Sequence, residues 1–308
     1  MNKKIFRGLS LLSVMSLAVI PISANASQDP VVAILDTALD TSLPIFKDRI
    51  LFEACVITWG SCPNGYSEME GQNSSVMRTD LLSKNGFGHG TEITSLAIAT
   101  NPNIKIVFVR IIGANSKGSR LYAGESSLYN ALDWVIRNKD RFNIQAVSMS
   151  QGHHNLGQSG TNYCPSTPIT ESKIKMLMDA EIPVFFPTGN TGDSSRINWP
   201  ACIPESISIG AVVENNIVPK YSNYDPNLTD FFAMGSNYVT TVGGKKRYVS
   251  GTSASSVIAA TQWATIKNSN PSLSYKEIYD LISKTSISVN GSGVYGGKLI
   301  NMKGVLNG

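Results

Sequence analysis

The chain has 308 residues, 42% of them hydrophobic, and a formal net charge of +4. That length is enough to bury one substantial core or two small ones. Three of the positive charges, Lys3, Lys4 and Arg7, lie at the N-terminus with no acid beside them; without them the net charge is +1, and no basic run elsewhere offers nucleic acid a surface.

The opening stretch, MNKKIFRGLSLLSVMSLAVIPISANAS, has a basic end, a short apolar stretch from Leu9 to Ile20 and a small-residue cleavage site at Ala24-Asn25-Ala26. This is the pattern of a secretory signal peptide, so residues 1–26 are expected to be removed and residues 27–308 to form one exported domain, secreted or periplasmic. The apolar stretch is too short and too serine-broken to span a membrane well, and no second one follows.

VVAIL (31–35) is a continuous β-branched apolar run ending at Asp36, as a buried strand would. Residues 51–86 are polar and rich in Ser, Asn and Gly, and read as a long loop. HGTEITSLAIAT (89–100) has helical spacing, IKIVFVRII (104–112) reads as a second buried strand, and residues 124–139 repeat apolar side chains from Leu128 to Ile136 on one helical face. Strand 146–150, helix 169–180, strand 183–187 and strand 206–213 follow, then a weaker hairpin-like region. Two helices are expected to close the chain, one opening at Ser253 and one at Ser274, where Ser-Tyr-Lys-Glu supplies a capping box. Alternating strands and helices predict a single α/β domain with a mostly parallel central sheet flanked by helices. There is no repeat, low-complexity tract or linker.

Cysteines stand at 55, 62, 164 and 202. An even number in an exported chain points to disulfides; three pairings are open, and proximity along the chain favours Cys55–Cys62 with Cys164–Cys202. A zinc site is not expected, because there is no Cys-x-x-Cys pair and His153-His154 has no cysteine close by.

In open parallel sheets, functional groups gather beyond the carboxyl ends of the strands. Asp36 in ILDTALD, His89 in NGFGHGTE and Ser253 in SGTSASS form the combination that a hydroxyl nucleophile requires. A serine hydroxyl is a weak nucleophile without a base in reach, and the base needs a carboxylate to fix its tautomer. Of three histidines, His89 is the best base, lying between glycines at a helix start. Read singly, each residue has a plainer role: Asp36 as a strand-end turn cap, His89 as a polar helix start, Ser253 as a helix N-cap.

In that Asp, His, Ser order, the chain resembles the subtilisin (subtilase) family of serine proteases over nearly the whole of residues 27–308. The resemblance implies a subtilisin-like fold, an acyl-enzyme mechanism and serine endopeptidase activity on peptide or protein substrates. It makes Asp36 the orienting carboxylate, His89 the general base and then acid, and Ser253 the nucleophile. It places an oxyanion-binding asparagine on Asn190 in FFPTGNTG, a substrate-pairing wall on Ser150-Gln151-Gly152, and the substrate pocket between that wall and the segment from Gly189 to Trp199. No cofactor is implied. Structural calcium is common in such proteins, but no loop here has a dense carboxylate cluster. The chain departs from the family's usual pattern at Ala38, Glu92-Ile93, Val257 and Thr261, none of them a reacting group. Asp36 stands only about ten residues past the cleavage site, which leaves no room there for an inhibitory propeptide; folding is expected to proceed unaided or with a separate helper or inhibitor. The alternative to an active peptidase is a catalytically idle subtilase-like fold that binds peptides or proteins.

Overall fold

The structure is a computed structural model that describes residues 29–84, 86–152, 164 and 166–307. The signal segment and His153-His154 lie outside the described residues.

In chain order the strands are β1 (Val31–Asp36), β2 (Ile50–Val56), β3 (Glu68–Glu70), β4 (Lys105–Arg110), β5 (Ala146–Met149), β6 (Val184–Pro187), β7 (Ile207–Val212), β8 (Phe231–Met234), β9 (Ser236–Thr240), β10 (Lys246–Ser250), β11 (Ile287–Gly291) and β12 (Val294–Leu299). The helices are α1 (Thr79–Leu82), α2 (His89–Thr100), α3 (Glu125–Phe142), α4 (Pro168–Asp179), α5 (Thr252–Ser269), α6 (Tyr275–Thr285) and α7 (Met302–Asn307). All but β9 and β10 join one ten-stranded sheet in the order β11-β12-β8-β7-β6-β5-β1-β4-β2-β3. Its interior pairs are parallel; β3 and β11 run antiparallel at the two edges. β9 and β10 form a separate antiparallel hairpin.

Strand alternation sorts the core into two layers. Val31, Ala33 and Leu35 of β1 face a cluster with Leu128, Trp134 and Val135 of α3 and Ile174 and Leu177 of α4. Val32 and Ile34 face the opposite cluster, with Ile93 and Leu96 of α2 and Val257, Ala260 and Trp263 of α5. α5 is buried nearly all round, as expected of a helix with small or apolar residues on every face. Its Ala254, Ala259, Ala260 and Ala264 let it lie close against the sheet. The capping box at α6 is present: Ser274 Oγ accepts from the Glu277 N–H and the Glu277 carboxylate accepts from the Ser274 N–H.

Two expectations need correction. Residues 51–86 are not one loop, since they hold most of β2, all of β3 and α1. The strand pattern of β2 is obscured by Glu53, which is buried as the acceptor of the Ser75 N–H and hydroxyl. Nor do two helices close the chain, because β11, β12 and α7 follow α6. Glycines at 291, 293, 296 and 297 and mostly exposed side chains conceal that hairpin from a reading of apolar periodicity.

β1 lies between β4 and β5: the chain runs from β1 to β2, β3 and β4 on one side of it and then crosses to β5 on the other. Such a switch point opens a crevice at the carboxyl ends of the strands. Asp36 ends β1 there, and Ser150 follows β5.

Candidate active site

Asp36 is fully buried. Its Oδ1 accepts from the Thr37 N–H at 2.7 Å, and His89 Nδ1 lies 2.8 Å from Oδ1 and 3.0 Å from Oδ2. An ionised carboxylate only accepts, so the proton belongs on Nδ1, which leaves Nε2 as the acceptor toward the crevice. Burial pushes the Asp36 carboxyl up. The His89 charge and hydrogen bond, the Thr37 N–H and the Arg120 guanidinium outweigh it and hold the group below the ordinary carboxylate range.

Thr37 laces the Asp36 turn to the start of α2. Its hydroxyl donates to the Phe87 carbonyl at 2.7 Å and accepts from the Gly90 N–H at 2.9 Å. This close approach requires glycine at 90, because a Cβ there would stand 2.6 Å from the Ala38 carbonyl oxygen.

Ser253 is the second residue of α5, where first-turn N–H groups have no intrahelical partner and the helix dipole favours negative charge. Its hydroxyl donates to the Ser150 carbonyl at 3.2 Å, not to His89, while the Ser150 hydroxyl donates to the Ser253 carbonyl at 3.0 Å. Asn190 Oδ1 accepts from the Thr252 N–H at 2.9 Å and the Thr252 hydroxyl at 3.0 Å, which leaves Nδ2 as its uncommitted donor group. Gly189 before it has φ +113°, and a Cβ there would meet the amides of Asn198 and Asn223 at 2.5 Å. Asn223, buried, gathers the loop by accepting from the N–H groups of Thr191 and Asp193 and donating to Asn198.

His89, Asn190 and Ser253 line two adjoining cavities. One, of about 410 Å³, continues past Glu92, Arg247 and Tyr248. The other, of about 280 Å³, continues past Arg120, Ser150-Gln151-Gly152, Gly189 and Asn198. The residues singled out in the sequence thus converge on one crevice, with one reorientation: the Gln151 side chain turns inward and donates to Asp36 Oδ1 at 2.9 Å. Arg120, Thr252 and Asn223 were not foreseen. Arg120 and Asn223 lie in polar turns whose composition marks no function, and Thr252 opens α5 beside Ser253 in the SGTSASS segment.

Both expected disulfides are present, Cys55–Cys62 and Cys164–Cys202. The second ties residue 164 to the turn just beyond Asn198. Among the described residues no group of His, Cys, Asp or Glu is arranged to hold a metal ion, and no helix is long and apolar enough to cross a membrane.

A model of the subtilase family matches residues 27–303. The chain belongs to the subtilase family. Over 238 residues this subtilase is 28% identical to an alkaline protease of Alkalihalobacillus alcalophilus, a match covering 74% of this chain and 57% of the relative. The chain therefore spans little more than half the length of that relative. It is 27% identical to subtilisin BL of Lederbergia lenta, over 74% of this chain and 81% of the relative. Among solved structures, a cold-adapted subtilisin-like serine proteinase superposes with a TM-score of 0.64 at 20% identity, covering 90% of each chain. A protease from Pseudoalteromonas arctica superposes with a TM-score of 0.71 at 20% identity, covering 91% of this chain and 90% of the other. These likenesses show the shared fold.

Proposed function

We propose that this subtilase is an exported serine endopeptidase that hydrolyses peptide bonds of peptide or protein substrates through an acyl-enzyme on Ser253. The observation that supports it is the buried Asp36 carboxylate holding His89 Nδ1 through both oxygens, beside the crevice that Ser253 lines from the first turn of α5. In this reading the Ser253 hydroxyl leaves the Ser150 carbonyl when substrate displaces it and turns to His89 Nε2. Such bonds commonly tighten only with substrate bound. His89 takes the proton as the oxygen attacks the scissile carbonyl, and Asp36 stabilises the imidazolium. The Ser253 N–H and Asn190 Nδ2 then receive the oxyanion. His89 passes the proton to the leaving amine, and a water deacylates the serine by the reverse sequence. The exposed Gly152 and the backbone of Ser150 and Gln151 offer one wall for an extended substrate. No step needs a cofactor. Export is supported by the N-terminal sequence pattern and by two disulfides, which persist in oxidising compartments. A separate folding helper or inhibitor belongs to the same proposal.

The second reading, an idle fold that binds peptides, draws on the Ser253 hydroxyl bonding Ser150 and not His89. A fluorophosphonate probe decides. Labelling of the wild-type protein and loss of both labelling and peptide hydrolysis in Ser253→Ala are expected. An unlabelled, folded wild-type protein would leave the idle reading standing.

A further inference from the structure

The side chain of Gln151 is 5% exposed, within hydrogen-bond distance of two groups of opposite character. Its Oε1 accepts from Arg120 Nη2, and its Nε2 donates to Asp36 Oδ1 at 2.9 Å. A guanidinium only donates and an ionised carboxylate only accepts, so a single orientation of the amide satisfies both. Nε2 also lies 3.0 Å from His89 Nδ1, but with the imidazole proton on Nδ1 both atoms are donors, and the shared target is Oδ1. Arg120 in turn is seated by the loop that leads to His89. Gly86, at φ +73°, leaves the space in which a Cβ would stand 2.8 Å from Arg120 Nη1. Arg120 itself is fixed in a tight turn, with Ala114 bridging Arg120 and the Leu121 N–H donating to the Gly113 carbonyl.

We propose that Gln151 is a positioning residue: its amide, oriented by Arg120, fixes the rotation of the Asp36 carboxylate and so the plane in which His89 is held. The inference rests on the catalytic reading of Asp36 and His89 given above. Its physical basis is that Oδ1 takes the Thr37 N–H and the Gln151 amide besides His89, whereas among the described residues the hydrogen-bond contact to Oδ2 comes from His89. Two donors from fixed elements on one oxygen oppose rotation of the carboxylate about its Cβ–Cγ bond. Without the amide, the Thr37 N–H is, among the described residues, the remaining hydrogen-bond restraint on the carboxylate from outside the pair. The wall segment after β5 then has two separable duties: its backbone faces the crevice, and the Gln151 side chain faces the charge pair behind it.

The test is Gln151→Met, which keeps length and burial but removes both polar atoms. Loss of one hydrogen bond to a charged group predicts a fall in kcat of about 10- to 100-fold, with KM nearly unchanged. In Asp36→Asn protein the same substitution should change kcat less than about twofold, because the residue acts through Asp36. Arg120→Leu, which frees the amide to rotate, should show the same pattern at smaller size and serves if Gln151→Met fails to fold. A readout independent of turnover is the His89 Nδ1–H proton resonance in Ser253→Ala protein. Gln151→Met should shift it and speed its exchange with water. A raised KM with kcat kept would make Gln151 part of the substrate wall and overturn the proposal, as would an unchanged imidazole proton signal. Failure of the wild-type protein to react with a fluorophosphonate would instead defeat the peptidase reading, while the proton signal would still decide the role of Gln151.

Discussion

Gly90→Ala is the smallest change expected to damage the site and the fold together. The added methyl would stand 2.6 Å from the Ala38 carbonyl oxygen, 2.7 Å from Phe108 Cζ and 3.2 Å from the Ala38 nitrogen. Neither neighbour gives way easily. Phe108 is fully buried, and the Ala38 backbone belongs to the turn that Thr37 and Thr91 tie to α2. Widening the oxygen contact from 2.6 Å to the 3.4 Å of an ordinary contact needs about 0.8 Å of movement between α2 and the Asp36 turn. Overpacking of this kind costs about 1–3 kcal/mol. The gain in helix propensity from glycine to alanine is at most about 1 kcal/mol, and smaller here at the second helical residue.

The net loss is therefore about 1–2 kcal/mol, which for a domain of this size lowers Tm by roughly 2–8 °C. The movement also separates His89 from Asp36, and a misplacement near 1 Å costs about 100-fold in rate. Thermal unfolding is best read in Ser253→Ala protein, where the proposed peptidase would not digest itself, and kcat on a peptide substrate in the otherwise wild-type chain. A variant with unchanged or raised Tm and undiminished kcat would refute the claim that this contact sets the distance between the two loops.

Asn190→Leu is expected to lower kcat by about 10²–10³ with little change in KM; that magnitude is taken from loss of the oxyanion donor in a subtilisin, a relative of this chain, and is not worked from this structure. Asn190 Oδ1 also holds Thr252, so a modest fall in Tm should accompany it, and a raised KM at full kcat would move Asn190 into the substrate pocket. For the disulfides, loop-closure entropy over separations of 38 and 7 residues gives about 4 kcal/mol for Cys164–Cys202 and about 2 kcal/mol for Cys55–Cys62. Paired Cys→Ser variants should therefore differ in Tm in that order, with the larger loss of activity at Cys164–Cys202; equal losses would contradict the ranking.

Much of this fold and site is legible in the residues alone, for physical reasons. β1, β4 and β6 lie in the sheet interior, so each carries an unbroken apolar run, VVAIL, IVFV and VFFP, that no surface helix would tolerate. Asp36, His89 and Ser253 were legible because the proposed chemistry restricts residue type and because glycines flank the close approaches. β2 was hidden by Glu53, whose burial depends on Ser75, 22 residues away. The inward turn of Gln151 was hidden because its partner Arg120 lies 31 residues earlier in a polar turn. Long-range polar pairs leave no local periodicity, and Asn223, which gathers the loop after Asn190, escaped notice for the same reason.

The departures from the family pattern are each absorbed by a local partner. Ala38 is fully buried in the core layer that includes Leu35 and Leu128. At 257 a proline would remove one backbone donor from α5; valine keeps it, and the fully buried side chain packs with Trp263 and Ile93. Thr261, polar in the middle of a buried helix, satisfies its hydroxyl by donating to the Val257 carbonyl at 2.8 Å. Glu92 takes Arg247 Nη2 with both carboxylate oxygens at 2.7 Å, fastening the β9–β10 hairpin over the start of α2. None of the four side chains takes part in the hydrogen bonds made by the side chains of Asp36, His89, Asn190 and Ser253. Ala38, Val257 and Thr261 stay inside the layers on either side of the sheet and alter packing, while the Glu92–Arg247 pair lines the cavity beside His89. The geometry of the crevice is held by a different set of contacts, the polar links between Thr37 and Gly90, between Ser150 and Ser253 and between Asn190 and Thr252. Divergence in the layers therefore leaves the polar links that shape the crevice in place.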